Sequence, residues 1–428
     1  MSLEQKRVYF VGLLFPRWPG FSGGEIREYH LLRALLGWGK VWGSWLFAWP
    51  DSKPPWEKAL QHVRIALPPP VRDWRRLWWW HLSRGLGKAW AQRWPLLFPW
   101  PLEIAYYAAR WRATLLHQVV RDLTHLEPDI LMVSPQVNPF PFLLPRTDMQ
   151  SPRRWVLSTF DVEAERLARL ATVYRGLPRL LMYWEARRAR VYEQTLVRTV
   201  DGIIAVSPRD REAFITQYGV PANRVWVAPN GVDVDYFAFQ PPPPSKPPIV
   251  LFVGTLAYPS NHAAALRLVQ RIMPRVRQEL PQAQLWLVGR SPKQDLLKAL
   301  GSQDRVFANV PDVRPYYHQA QVVCIPLEAG SGTKLKVLEA LSIGRLVVAT
   351  PTALEGLFLQ PDEHLFVAET DEDLAAHIVK VLRTPQRWER MRQQARFWVE
   401  RRYAWNVTLA GLNEWLEALL RLPRRASY

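Results

Sequence analysis

The sequence predicts an α/β fold of two Rossmann-like domains, each a doubly wound parallel sheet, facing one another across a cleft. Three observations predict it. Short, near-continuous runs of β-branched and apolar residues recur along the chain, as parallel strands covered on both faces require. Each run leads through a turn into a segment of helical periodicity. The tract QPPPPSKPP, residues 240–248, separates two such series, because consecutive prolines continue neither a helix nor a central strand.

The first series opens with RVYFVGLLF (Arg7 to Phe15). After it, SGGEIREYHLLRALLGWG (Ser22 to Gly39) reads as a loop and helix. Ile26, Tyr29, Leu32, Leu35 and Leu36 recur at three- and four-residue spacing and mark one buried face of that helix. DILMVSP, RWVLSTF and GIIAVSP supply further strands, starting at Asp129, Arg154 and Gly202, and one long charged helical stretch runs from Ala164 to Arg198. The second series comprises PIVLFVGT, QLWLVGR, QVVCIPL and RLVVATP, starting at Pro248, Gln284, Gln321 and Arg345. The expected organisation is an N-terminal domain over 1–239, a connector over 240–248 and a second domain over 249–400. A C-terminal helix within 401–428 is expected to pack back on the first domain.

Composition narrows the class. A single cysteine, Cys324 in the apolar run VVCIPL, excludes an internal disulfide framework and any thiolate cluster, and reads as a buried strand residue. No stretch approaches the ~18 uncharged apolar residues of a membrane span, and the amino terminus lacks the apolar core of a secretory signal. The expected location is therefore cytoplasmic, free or peripheral on the inner face of the cell membrane. The net charge of +18 fits nucleic acid, an anionic membrane or an acidic substrate. Nucleic acid is set aside because neither zinc-finger spacing nor an aromatic RNP-type strand occurs. Residues 71–112 interleave arginine and lysine with tryptophan, including Trp78, Trp79 and Trp80. That suits the headgroup level of an anionic membrane, or a tryptophan-rich core insertion.

Three constellations carry chemistry. The pair Gly23-Gly24 after the first strand makes an anion site or an ordinary tight turn. Asn230-Gly231, in VAPNGVDVDYF, forms a turn at a strand end. In PLEAGSGTKLKVLEALSIGRLVVAT (Pro326 to Thr350), a strand feeds the loop Gly330-Ser331-Gly332-Thr333, which opens a helix. Loop amides at a helix start cradle phosphate. Lys336 and Glu339, three residues apart, share a side of that helix. They suit a diphosphate and a ribose, or an ordinary surface ion pair.

The runs PNGVD, FVGTLAYPSN and GSGTKLKVLEA resemble the large retaining glycosyltransferase family of GT-B fold, glycosyltransferase family 4. The resemblance covers nearly the whole chain and is weakest from about Pro50 to Arg121. It implies a nucleotide-sugar donor, UDP- or GDP-linked, with no cofactor and no metal, and a glycan, lipid-linked or small acceptor. By similarity Glu339 holds the nucleotide ribose, Lys336 and Lys334 bind the diphosphate, and NVPDVRPYY (Asn309 to Tyr317) contacts the base. The implied donor set is Gly23, Gly24, Gly254, Arg290, Asp312, Gly330, Ser331, Gly332, Thr333, Lys334, Lys336 and Glu339. Lys336, for the leaving phosphate, and Asp161, or Glu163 in its place, for orienting the acceptor, are the candidate catalytic groups.

Three departures matter. Ser331 stands where many members carry a first glutamate, Thr255 where many carry an arginine, and Phe160 where a histidine is common. Asp161 also has an ordinary role available, at the start of a helix. A nucleotide-sugar epimerase, and a catalytically silent sugar-nucleotide-binding subunit at the membrane surface, are the alternatives.

Overall fold

The computed structural model describes residues 6–16, 23–47, 60, 62–65, 115–135, 141, 152–172, 174–243, 247–329 and 333–423. The tryptophan-rich segment 71–112 and the residues Gly330, Ser331 and Gly332 lie outside the described residues. Among those described, no helix is long and apolar enough to cross a membrane.

The chain divides into two compact units. In the first, seven parallel strands are ordered β3-β2-β1-β4-β5-β6-β7. They are β1 Lys6–Leu14, β2 Gly39–Phe47, β3 His62–Ile65, β4 Ile130–Ser134, β5 Arg154–Ser158, β6 Gly202–Ala205 and β7 Val225–Val227. In the second, six parallel strands are ordered β10-β9-β8-β11-β12-β13. They are β8 Ile249–Val253, β9 Gln284–Gly289, β10 Asp304–Ala308, β11 Val322–Ile325, β12 Leu346–Ala349 and β13 Phe366–Val367. Both sheets begin at the centre, wind outward through two strands, then reverse. The reversal falls between β1 and β4 in one unit and between β8 and β11 in the other. At such a switch point the connections diverge to opposite faces and leave a crevice at the carboxyl ends of the strands, where ligands of doubly wound sheets bind.

Alternation along each strand assigns its side chains to the two covers. In the first unit Tyr9, Val11, Leu131, Val133, Trp155 and Leu157 join one core with Tyr192, Leu196 and Phe214. Val8, Phe10, Ile130, Met132 and Val156 join the other, with Leu31, Leu32 and Leu35. The helix Leu412–Arg421 completes this second cover through Leu412, Leu416, Leu419 and Leu420. The Arg154 guanidinium anchors it by donating to the carbonyls of Leu419 at 2.9 Å and Leu420 at 3.3 Å.

Several local expectations change. The unit boundary falls between Ala228 and Pro229, upstream of the proline tract, because Val232 and Phe237 sit in the second unit's core. The helix Gly23–Leu36 buries more than its apolar stripe: Glu25, Arg27, Glu28 and His30 are also buried, while Ile26 and Leu36 are half-buried. The charged stretch from Ala164 is two helices, Glu163–Ala171 and Leu177–Thr199. Gly176 breaks it at φ +63°, a left-handed conformation that glycine adopts without a Cβ clash.

The start of Glu163–Ala171 is held from the side. The backbone amides of Glu163 and Ala164 donate to the two carboxylate oxygens of Glu193, at 2.7 and 3.1 Å, and the Tyr218 hydroxyl donates to one of them at 2.7 Å. Burial pushes the Glu193 carboxyl up to about 7. Glu193→Ala leaves three donors without their acceptor, so it is expected to destabilise the first unit by about 1–3 kcal/mol. Denaturant unfolding measures this, and an unchanged midpoint would refute the capping role.

Candidate active site

The second unit builds its site at the switch point. Strand β8 ends at Val253 and is followed by Gly254, while β11 leads toward the helix Leu335–Ser342. Val337, Leu338 and Leu341 of that helix are buried in the core, so packing fixes its rotation and sets Lys336 and Glu339 on a half-buried edge. The Lys336 ammonium donates to Asn261 Oδ1 at 2.6 Å and lies 4.5 Å from the centre of the Phe252 ring. Asn261 in turn donates to the Thr255 carbonyl at 3.1 Å, which fixes its amide. A Cβ at Gly254 would stand 2.7 Å from Lys336 Nζ and 3.1 Å from the Asn261 amide, so a side chain there would push the ammonium from its place at the strand end.

Glu339 lies one turn further on. Its Oε2 accepts from the Tyr317 hydroxyl at 3.1 Å, and the Arg345 guanidinium donates to the Tyr317 carbonyl at 2.6 Å. Although both residues keep an exposed edge, their charged atoms are surrounded by protein. Burial lowers the Lys336 ammonium to about 7, against the opposing pull of Glu339. Burial raises the Glu339 carboxyl to about 7, against the Tyr317 hydrogen bond and Lys336. Their contacts with Asn261 and Tyr317 and these shifts set the two groups apart from a solvated surface ion pair.

Thr333 is 8% exposed and its hydroxyl has no hydrogen-bond partner among the described residues. An unpaired hydroxyl at a helix start suits an anionic ligand oxygen. Lys334 occupies the N-cap position in extended conformation and is half-buried. Arg290 follows β9, half-buried, and its carbonyl accepts from Ala257 at 3.3 Å. Asp312 is engaged in shaping its own loop. Its carboxylate holds the Arg314 guanidinium by two bonds of 2.9 and 2.7 Å and accepts from Tyr236 at 3.3 Å. Arg314 also lies 3.8 Å over the Tyr236 ring.

The remaining candidates belong to the first unit. Gly23 opens the helix Gly23–Leu36. A Cβ on Gly24 would meet the Phe160 ring at 2.6 Å, so the phenylalanine at the histidine position packs directly on the glycine turn. Asp161 is half-buried between β5 and Glu163–Ala171. Asn261, Phe252 and Tyr317 were not singled out from sequence, although the first two lie in FVGTLAYPSN and the third in NVPDVRPYY. Cys324 is fully buried, and burial raises its thiol further from reactivity.

A shallow groove between Met273–Glu279 and Asp371–Arg383 lies elsewhere in the second unit. Its charges are mutually satisfied, Arg275 with Glu372 at 2.5 Å and Arg383 with Glu279, so it carries no chemistry comparable to the Lys336 cluster.

Two family models match the chain: one described as Glycosyltransferase Family 4 over residues 92–236, the other as Glycosyl transferases group 1 over residues 247–384. The chain belongs to glycosyltransferase family 4. Curated relatives of this family 4 chain include a D-inositol 3-phosphate glycosyltransferase of Xylanimonas cellulosilytica, 25% identical over 54% of this chain and 61% of the relative. A phosphatidyl-myo-inositol mannosyltransferase of Mycolicibacterium smegmatis is 28% identical over 46% of this chain and 51% of the relative. The chain thus spans about half the length of these relatives. Among solved structures, a sucrose-phosphate synthase of Thermosynechococcus elongatus superposes with TM-score 0.65 at 16% identity, covering 97% of this chain and 99% of that one. Anabaena HepE in complex with UDP superposes with TM-score 0.62 at 16% identity, covering 96% of this chain and 100% of that one. These likenesses establish the two-domain GT-B fold.

Proposed function

We propose that this family 4 chain is a retaining glycosyltransferase that moves a hexose-type sugar from a UDP- or GDP-linked donor to a glycan, lipid-linked or small acceptor. The observation that carries the reading is the hydrogen-bonded, half-buried cluster of Lys336, Glu339 and Asn261 with buried Tyr317 at the second unit's switch point. Lys336 supplies positive charge for the diphosphate, and the Thr333 hydroxyl and helix amides add donors. Glu339, oriented by Tyr317, accepts from ribose hydroxyls. Hexose chemistry is supported by relatives named as mannosyltransferases and by HepE, which is solved with UDP-glucose. The phosphatidyl-myo-inositol relatives and the net charge of +18 support an acceptor met at an anionic membrane surface on the cytoplasmic side.

Retention follows a same-face substitution. The bond from the anomeric carbon to the diphosphate oxygen breaks as the acceptor oxygen bonds that carbon from the same side, and the acceptor proton passes to the departing phosphate. Lys336 neutralises the charge that develops there, a task that calls for no divalent ion. Asp161, half-buried between β5 and the helix Glu163–Ala171, orients the acceptor.

Thermal unfolding with UDP, GDP, ADP and CMP, each with and without a chelator, tests the donor site. The matching nucleotide at 100 times its dissociation constant is expected to stabilise by ~2.7 kcal/mol whether or not chelator is present. No shift with any of the four defeats the reading, and a shift lost on chelation replaces the lysine scheme with a metal-dependent one.

A further inference from the structure

The helix Leu177–Thr199 buries Ala186, Ala189, Tyr192, Leu196 and Val197 against the first unit, yet its outward face also carries large apolar side chains. Leu180 is 66% exposed and Val191 55%, and Leu181 and Tyr183 are exposed beside them. Leu180, Trp184, Arg187 and Val191 follow at spacings of four, three and four, which places them on one stripe along the helix. Single exposed leucines need no explanation, but an aligned outward stripe on a helix that already has a buried inner face does.

The charges on this face are of one sign. Arg187, Arg190 and Arg198 are exposed, and Arg190 is steadied by a 2.7 Å bond to Gln217. The helix's two glutamates do not offset them: Glu185 pairs with Arg188 at 2.8 Å, and Glu193 is turned inward under Glu163–Ala171. Arg188, itself buried, stacks 4.5 Å over the ring of half-buried Trp184, which stiffens the indole at the edge of the stripe. We infer that this face of the helix is a docking surface for an anionic lipid bilayer. Leucine, valine and tryptophan side chains enter the headgroup boundary while the arginines pair with lipid phosphates. A second copy of the chain is a poor occupant, because pairing the stripe with itself stacks arginine on arginine in a molecule already carrying +18.

The inference gives the membrane location proposed above a specific surface, distinct from residues 71–112, and does not depend on sugar transfer. Flotation of the full chain with vesicles of phosphatidylcholine alone, or mixed with phosphatidylglycerol, reads it out. The wild type is expected to float only with the anionic vesicles. Leu180→Gln with Val191→Gln, and separately Arg187→Gln, are each expected to weaken that binding by about ten-fold. All three positions are solvent-facing, and an unchanged unfolding midpoint verifies that the fold is retained. A second readout uses Leu180→Cys carrying an environment-sensitive dye. Cys324, the only native cysteine, is buried and does not compete for the label. The dye emission is expected to shift to the blue with anionic vesicles and to stay unshifted with neutral ones. Unweakened flotation of the variants, or an unshifted dye, overturns the helix as the docking surface while the membrane location stands. Failure of the wild type to float overturns both. A dye shift that grows with protein concentration in the absence of lipid assigns the face to a second copy instead.

Discussion

Lys336→Gln is expected to slow sugar transfer by about 10²–10³-fold at saturating donor, the usual cost of deleting one preorganised donor aimed at developing negative charge. The folded state itself should hardly notice. The Lys336 ammonium is held by a single 2.6 Å bond to Asn261 and lies against the Phe252 ring, and burial has already lowered it to about 7. It is a desolvated cation that the nearby Glu339 carboxylate compensates only in part. Removing such a charge takes away a desolvation cost as well as an attraction, so the unfolding midpoint should move little. Glutamine still offers a side-chain amide to Asn261 and introduces no Cβ clash at the strand end that Gly254 keeps open. The charge also helps hold the diphosphate in the ground state, so the loss should appear in KM as well as in kcat, the kcat part reporting the attraction that grows as the phosphate oxygen takes up the electrons of the breaking bond. Steady-state kinetics beside a melting curve decide the matter. A kcat within about threefold of wild type would remove Lys336 from the chemistry and leave it a packing residue.

Much of this was legible in the sequence, for reasons that can be stated residue by residue. The eight strands recognised there are apolar, β-branched runs buried on both faces, and each lies within about two residues of its place in the structure. Three of the five strands not recognised break that pattern. β2 is interrupted by Gly39, Gly43 and Ser44, and its Trp45 fills the space above Phe10 and Gly12. β10 is a half-exposed edge strand, and β13 has only two residues. The site's charged pair was visible from its spacing, but spacing alone could not separate a surface ion pair from a poised site. The separation comes from long-range partners: Asn261 is 75 residues from Lys336, and Tyr317 is 22 from Glu339. Asp161 shows the same limit. A carboxylate near a helix start reads as a cap, yet two first-turn amides of that helix go to Glu193 in the following helix.

The pair also predicts a pH profile with two separable limbs. Donor binding needs Lys336 as an ammonium, for the diphosphate, and Glu339 as a carboxylate, for the ribose hydroxyls. The Glu339 carboxyl is raised from its usual range to about 7, so it gains a proton as pH falls below 7 and ceases to be a full acceptor. The Lys336 ammonium is lowered to about 7, so it loses its proton as pH rises above 7. Affinity for the nucleotide sugar should therefore peak near pH 7 and fall on both sides, each limb approaching tenfold per pH unit. The unliganded fold behaves in the opposite sense. A carboxyl raised on folding loses stability as pH rises from its unfolded value to about 7. An ammonium lowered on folding gains stability as pH rises from about 7 to its unfolded value. The pair thus weakens the empty protein most near pH 7, where the donor's own charges offset that loss. Calorimetric titration with a nucleotide sugar, whose diphosphate does not itself ionise in this range, measures the profile. Glu339→Gln should abolish the acid limb and keep the alkaline one, and Lys336→Gln should do the reverse. A flat profile, or variants that shift both limbs together, would mean that neither group changes charge when the donor binds, and that the burial holding them near 7 serves the fold alone.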